Sequence, residues 1–439
     1  MKVIVIGGVA AGMSAAAKLK RLSKDTTIVV YEKGSDLSYG ACGMPYYLSD
    51  IIKDEQSLIA RTQEAFIADG IDVFINHEVI EVKPEDKKIV VKHKNQTFED
   101  TYDKLIIATG AHAIRLPVDG SELSGIHVLN SLEDAKQLKK ALQNAQNIAV
   151  IGAGFIGVEV AENLVHMHKN IYMIERLDQV LNIYDKSMSM HAQKALEDAG
   201  VHLKLSENLK SYEGNTHVQK VVTDKNTYAV DLVIEAIGVR PNTKFLENTG
   251  IKRLKNGAII VNDKMETSIK DIYAAGDCVA YHDNLKNTHV YVPLGTHANK
   301  TGRVIASNIA GIPEKFQGII GSNVVKVMDL TVAKTGLTMK EVEDLKLGYK
   351  CVDVTAKNQA GYYPGAEKIY MRIVYDPKTY ILKGAQLIGK KGVSSRINIM
   401  ALAISKEITA KDFSQLDLAY APPFSPVWDP LQIATNQIK

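Results

Sequence analysis

Two stretches of this chain repeat one uncommon order: a short apolar strand, a glycine-rich turn, a helix, a second apolar strand, and an acid. In the first, Val3–Ile6 runs into "GGVAAG" (Gly7–Gly12), then an Ala/Lys/Leu stretch predicted as helix from Met13 to Leu22. The strand Thr27–Tyr31 follows, and then Glu32, 20 residues past Gly12. In the second, Ile148–Ile151 leads into "GAGFIG" with Gly152, Gly154 and Gly157 in place. A helix, the strand Ile171–Ile174 and Glu175, 18 residues past Gly157, complete it. A βαβ unit of this kind uses its glycines for a tight turn, its helix N-terminus for a pyrophosphate and its acid for a ribose hydroxyl. The second unit is complete. The first has Val9 where the pattern asks for its middle glycine, and Gly8 is expected to do part of that work.

A length of 439 residues exceeds one compact core, so two or three domains are expected. The net charge of +3 gives no support for nucleic-acid binding, which shows as a strong basic excess. Cys42, Cys278 and Cys351 are too few for a disulfide framework, which points to a reducing, cytoplasmic setting. The start, "MKVIVIGGVAAGMSAAA", imitates a signal peptide, but Gly7 and Gly8 end its apolar run after Val3–Ile6. No apolar stretch is long enough for a transmembrane helix, so no membrane association is expected.

Two dinucleotide sites suggest two redox cofactors that exchange hydride. "YDKLIIATGA" (Tyr102–Ala111) reads as a strand ending in a glycine turn, and "TSIKDIYAAGDCVA" (Thr267–Ala280) as a strand ending in Gly-Asp. With these four motifs in this order, the whole chain resembles the two-dinucleotide flavoprotein disulfide reductases. The resemblance implies an α/β fold with two Rossmann-like domains and a C-terminal α+β dimerisation domain. FAD would occupy a discontinuous domain, 1–113 and 245–320, with an antiparallel meander inside its first part. NAD(P)H would occupy 114–244, and 321–439 would form the dimer interface of a homodimer with shared active sites. The cofactor-binding residues implied are Gly7, Gly8, Ala10, Ala11, Gly12, Glu32, Lys33, Val79, Ala108, Thr109, Gly110 and Asp277, with Gly152, Gly154, Phe155, Ile156, Gly157, Glu175 and Gly238. Asp277 would bond the flavin ribitol. Glu175 favours NADH over NADPH by repelling a 2′-phosphate, although Arg176 beside it can accept one.

Many reductases of this superfamily carry C-x-x-x-x-C after the second strand. Here the position five past Cys42 is Tyr47, so no internal disulfide of that kind can form. Cys278 and Cys351 read as buried hydrophobes. "CGMPYYL" can open a helix, whose N-terminus would stabilise a Cys42 thiolate. A lone redox sulfur either forms a mixed disulfide with a small thiol or cycles through sulfenic acid. Both occur in a single-cysteine branch of the family, which "SYGACGMPY" resembles. That branch holds coenzyme A disulfide reductases, NADH peroxidases and NADH oxidases. The peroxidases and oxidases carry a histidine in the first glycine turn, where this chain has Ala10 and Ala11.

The resemblance is therefore to the coenzyme A disulfide reductases. It implies a Cys42–S–S–CoA mixed disulfide reduced by NAD(P)H through FAD, with coenzyme A disulfide or a related small disulfide as substrate. The alternatives are an oxidase or peroxidase using a Cys42 sulfenate, or a persulfide or polysulfide reductase. Tyr362 of "AGYYPG" and Tyr420 of "LAYAPPFSPVWDP", supplied by the other subunit, would hold the leaving thiolate, with Tyr363 an equally visible neighbour of the first. Ser14, Lys18 and Arg21 fall on one helix face and would grip coenzyme A phosphates, with Lys20 and Lys24 adding charge nearby. Ser38, Asn299 and Trp428 would complete the substrate site. Gly70 stands where some relatives have a basic residue. Some persulfide-reducing relatives carry a further sulfurtransferase domain, which is not expected here because the sequence ends at Lys439. No metal is expected.

Overall fold

A computed structural model describes residues 1–439. Each glycine unit builds a five-stranded parallel sheet. The first runs in the order Ile272–Ala274, Lys104–Ile107, Lys2–Ile6, Thr27–Tyr31, Asp72–Phe74. The second runs His202–Leu205, Asn170–Glu175, Asn147–Ile151, Leu232–Glu235, Ile126–His127. After the first residue, each central strand is buried at every position. This burial explains why neither alternates in sequence.

The two halves are built alike. After its third strand each adds a three-stranded antiparallel meander: Glu78–Lys83, Lys88–His93 and Gln96–Thr101 in one, Leu209–Glu213, Lys220–Thr223 and Thr227–Ala229 in the other. They differ in the outermost strand. Ile126–His127 precedes its unit, whereas Ile272–Ala274 returns to the first sheet after the second is finished. The antiparallel pair Ala111–Ala113 and Val239–Pro241 marks the two crossings. A five-stranded antiparallel sheet from Asn323 to Gly389 follows, with the helix Val393–Ser405 packed on it. No helix is long and apolar enough to cross a membrane.

The glycine turns explain their own sequence. A Cβ on Gly12 would lie 1.9 Å from the Gly7 carbonyl oxygen, and one on Gly157 2.0 Å from that of Gly152. The middle position differs. Gly154 precedes its helix, and a Cβ there meets no atom within 4 Å. Val9 holds the matching place with φ −104°, so the fold itself needs no glycine there. Gly8 is kept small by its own surroundings. A Cβ on Gly8 would lie 2.3 Å from Leu37 Cδ2, so its smallness serves packing against Leu37 and Glu32. The first helix is Ala10–Leu22, three residues longer than its composition suggests, because the turn is complete at Val9. Met13 N already donates to Val9 O at 3.1 Å.

The segment after Cys42 belongs to the first unit in sequence but packs on the second. Met44, Tyr47 and Leu48 share a core with Leu132, Val158 and Leu164. This places Cys42 at the junction of the two halves.

Candidate active site

A single cavity of about 2490 Å³ is lined by both glycine turns, Val9–Ala11 and Gly152–Ile156, and by Cys42. Ordinary ligand pockets hold about 300–1,000 Å³, so this one has room for more than one large ligand. The two acids are held alike. Glu32 accepts from Gly8 N and Gly34 N, both at 2.7 Å. Glu175 accepts from Ala153 N at 2.8 Å and Leu177 N at 2.9 Å. Each carboxylate is thereby fixed beside its own turn.

Ala10, Ala11, Lys33, Ala108, Thr109, Gly110, Gly238 and Asp277 also line the cavity. Gly7, Gly8, Gly12 and Gly157 stand behind the wall and shape the turns. Val79 does not line the cavity: it is buried in Glu78–Lys83, just before a register shift in that strand. Two polar groups on the wall are placed for a ligand. The Tyr291 hydroxyl is buried with no partner, and burial pushes the Asp277 carboxyl up. Such groups are satisfied by a polar ligand. The cradles, the two acids, the orphaned Tyr291 hydroxyl and the Asp277 carboxyl fit a pair of dinucleotides.

Cys42 lies in the short 3₁₀ turn Ala41–Gly43, which continues into the helix Met44–Leu48. Its surface is exposed to the cavity. The expected stabilisation of a thiolate does not follow from this chain. Removal from bulk water pushes the thiol up, the carboxylates of Glu159 and Asp277 add to that, and only its own amide opposes it. A five-residue helix has too small a dipole to reverse the balance. No second sulfur is at hand. Tyr47 donates to Glu55 Oε2 at 2.8 Å, with the Lys139 ammonium 3.7 Å above its ring. Cys278 is buried, its thiol pushed up to about 11, and donates to Ala275 O and Ile107 O. Cys351 is only half-buried, at one face of Lys350–Lys357.

Ser14 Oγ donates to Asn299 Oδ1 at 2.6 Å, so two expected substrate residues meet, and Arg21 and Ser38 line the same cavity. Ser38 holds φ at 48°, a strained value for a residue with a Cβ. Lys18 departs from expectation. Its ammonium is tied to Glu314 at 2.8 Å and it does not line the cavity. Lys20 is likewise spent, donating to the carbonyls of Lys24 and Thr26 and lying over Gly70.

The cations that the sequence did not single out are Arg61, Arg240, Lys300 and Arg303, all on the cavity wall. Arg303 is four residues past Asn299 on the helix Gly295–Ile309, so helical spacing held a signal for it. Glu159, also on the wall, was missed as well.

Tyr362 and Tyr420 meet each other, with their hydroxyls 3.2 Å apart. Neither lines the cavity of its own chain. With Phe424, Val427 and Trp428 they are exposed, and Trp428 precedes Asp429, which Arg396 holds at 2.8 Å.

Residues 1–302 match the family model described as pyridine nucleotide-disulphide oxidoreductase, and residues 322–430 match its dimerisation domain. The chain is 37% identical over 443 residues to an NAD(P)H sulfur oxidoreductase (CoA-dependent) of Pyrococcus abyssi, covering 100% of this chain and 98% of that one. It is 33% identical over 430 residues to a coenzyme A disulfide reductase of Staphylococcus aureus, covering 97% and 96%. A crystal structure of reduced CoADR-RHD from Bacillus anthracis superposes with a TM-score of 0.97 at 33% identity, covering 100% of this chain and 80% of that one. The two glycine units, the cavity they share and these matches together make the chain a member of the pyridine nucleotide-disulphide oxidoreductase family.

Proposed function

We propose that the protein reduces coenzyme A disulfide to coenzyme A with NAD(P)H, using FAD and Cys42. One observation carries this reading: Cys42 faces the cavity of both nucleotide turns, and the position where a resolving cysteine would stand is Tyr47, bonded to Glu55. The second sulfur then comes with the substrate. The names of the Pyrococcus and Staphylococcus relatives, both of which refer to coenzyme A, support the same substrate.

Flavin and nicotinamide, when bound, supply the hydride chemistry that ends on a sulfur–sulfur bond. The first turn, Glu32 and Asp277 would hold the flavin, and the second turn and Glu175 the nicotinamide, with NADH preferred. The Cys42 thiolate attacks one sulfur of the disulfide. The Cys42–S bond forms, the substrate S–S bond breaks, and one coenzyme A leaves as thiolate. The mixed disulfide then takes up two electrons and two protons, which restores the Cys42 thiol and frees the second coenzyme A. Arg21, Lys300 and Arg303 supply positive charge for phosphates, with Ser14, Ser38 and Asn299 as polar neighbours. Ala10 provides no proton donor where the peroxidase branch has histidine. His297, the histidine lining the cavity, is buried against Tyr281 and bonded to Val292 O.

We divide the chain into a flavin domain, 1–113 and 245–320, a nicotinamide domain, 114–244, and a dimerisation domain, 321–439. The exposed residues Tyr362, Tyr420, Phe424, Val427 and Trp428 are candidates for the homodimer surface, which suits tyrosines that serve the partner's site. Three free cysteines suit a reducing cytoplasm.

The test is chemical. Denatured protein treated with dithiothreitol after exposure to coenzyme A disulfide should release stoichiometric coenzyme A, and Cys42→Ser should release none. Trapping of a Cys42 sulfenic acid in place of coenzyme A would move the reading to an oxidase.

A further inference from the structure

An aspartate just before a helix usually caps that helix with its own side chain. Asp185 precedes the helix Lys186–Asp198 and makes no such bond. Its buried carboxylate turns to the antiparallel sheet and caps a different helix, Met339–Asp344. Met339 N donates to Oδ2 and Lys340 N to Oδ1, both at 3.1 Å. Gln386 Nε2 at 2.6 Å and Arg372 Nη1 at 3.1 Å also donate to it. The backbone joins in, with Asp185 N donating to Gln386 Oε1 at 2.8 Å.

This anchor reaches the second glycine turn in two steps. Tyr184 N donates to Leu181 O at 2.9 Å, and Leu181 N donates to Ala153 O, inside the turn, at 2.8 Å. Arg176, Leu177, Gln179 and Asn182 of the same loop line the cavity. The anchor also reaches the flavin half. Thr338 and Glu341 form the capping box of Met339–Asp344, and Glu341 Oε1 accepts from Lys286 Nζ at 2.5 Å. Lys286 lies in the turn between the paired strands Val279–Asp283 and Thr288–Val290. One short helix is therefore held from both halves. Apolar packing treats the halves differently. Val325, Val327, Val332 and Ile388 of the antiparallel sheet share a core with Val158 and Leu164 of the second unit. The core of the first unit includes no residue of that sheet, which its hairpin meets through Leu285 and Lys286.

We propose that Asp185 is a positioning residue for the passage of hydride, two electrons with one proton, from NAD(P)H to flavin. It holds the loop that is bonded to the second glycine turn, on a helix that Lys286 holds from the flavin side. Released from that helix, the loop lets the second turn drift relative to the first. Transfer between bound groups depends steeply on placement, and a shift of about 1 Å can cost roughly a hundredfold. This rests on flavin and nicotinamide occupying the two units, as proposed above, and adds what fixes one against the other.

The experiment compares Asp185→Asn with wild type in flavin-loaded protein. Asparagine keeps the shape and loses the charge. Stopped-flow absorbance at saturating NADH should show flavin reduction slowed by about tenfold or more. The NADH concentration at half-maximal rate should stay within about twofold, which marks lost placement and not lost binding. Before NADH is added, amide hydrogen exchange read by peptide mass should quicken in 176–184 as well as in 338–345. Lys286→Met, at a more exposed side chain, should slow the same step. Arg396→Met breaks a buried ion pair of the C-terminal region away from this junction and should leave flavin reduction at the wild-type rate. Flavin reduction at the wild-type rate in Asp185→Asn would overturn the proposal, and if that variant failed to fold, a wild-type rate in Lys286→Met would do so. An equal loss in Arg396→Met would overturn it too, since general destabilisation would then explain the effect. No disulfide enters these measurements, so an error in the substrate would leave them as expected. An error here would leave the coenzyme A adduct on Cys42 intact.

Discussion

Glu159→Gln makes a stability prediction that needs no substrate. Burial lifts the folded carboxyl from an ordinary 4.5 to about 7. Between those values the folded state holds a proton that the unfolded chain has lost. Folding stability therefore falls as pH rises from 4.5 to about 7, and the deficit stays constant above. At about 1.36 kcal/mol per unit, two and a half units set a ceiling of roughly 3.4 kcal/mol. The group is partly open to the cavity, so about 2 kcal/mol is expected. Glutamine keeps an oxygen for the Tyr46 hydroxyl, which lies 3.5 Å from Glu159 Oε1, and carries no charge. The variant should match wild type near pH 4.5 and exceed it above pH 7. In thermal unfolding followed by circular dichroism, about 2 kcal/mol is roughly 4–8 °C for a domain of ordinary size. A variant that melts at the wild-type temperature at both ends of that range, or below it above pH 7, would refute the reasoning.

Other substitutions test other parts of the account. Gly157→Ala pushes a methyl into the Gly152 carbonyl and should cost about 1–3 kcal/mol, while Gly154→Ala, which meets nothing, should melt like wild type. Thermal melting of the two variants side by side checks this. Arg396→Met strands the buried Asp429 and should cost about 3–5 kcal/mol, with limited proteolysis opening the tail around Trp428. Tyr420→Phe should slow turnover of coenzyme A disulfide and leave flavin reduction by NADH intact in stopped-flow absorbance. Equal rates in turnover would end that tyrosine's role.

What was legible in the sequence was local. Strand, glycine turn, helix and acid are consecutive, and a methyl on Gly12 or Gly157 would strike the chain five residues back. A pattern can carry such a constraint. Lys18 misled because its partner, Glu314, lies 296 residues away, and a helix face says nothing about what packs on it. Val9 looked like a defect because the motif does not say which glycines the turn itself needs. Glu159 was invisible for a further reason. An acid one turn into a helix is ordinary until burial without a cation is known, and that depends on Lys326 answering Glu162 instead. Val79 carried a fold-family expectation, and its side chain is buried in the core of the first half instead of lining the cavity.

The most direct test of the central claim is the mass of the Cys42 peptide. Reduced protein should be given coenzyme A disulfide without NAD(P)H, quenched in acid and digested. A coenzyme A adduct is expected on Cys42, reversed by dithiothreitol and absent from Cys278 and Cys351. A Cys42 peptide that remains unmodified, or that carries added oxygen alone, would contradict it.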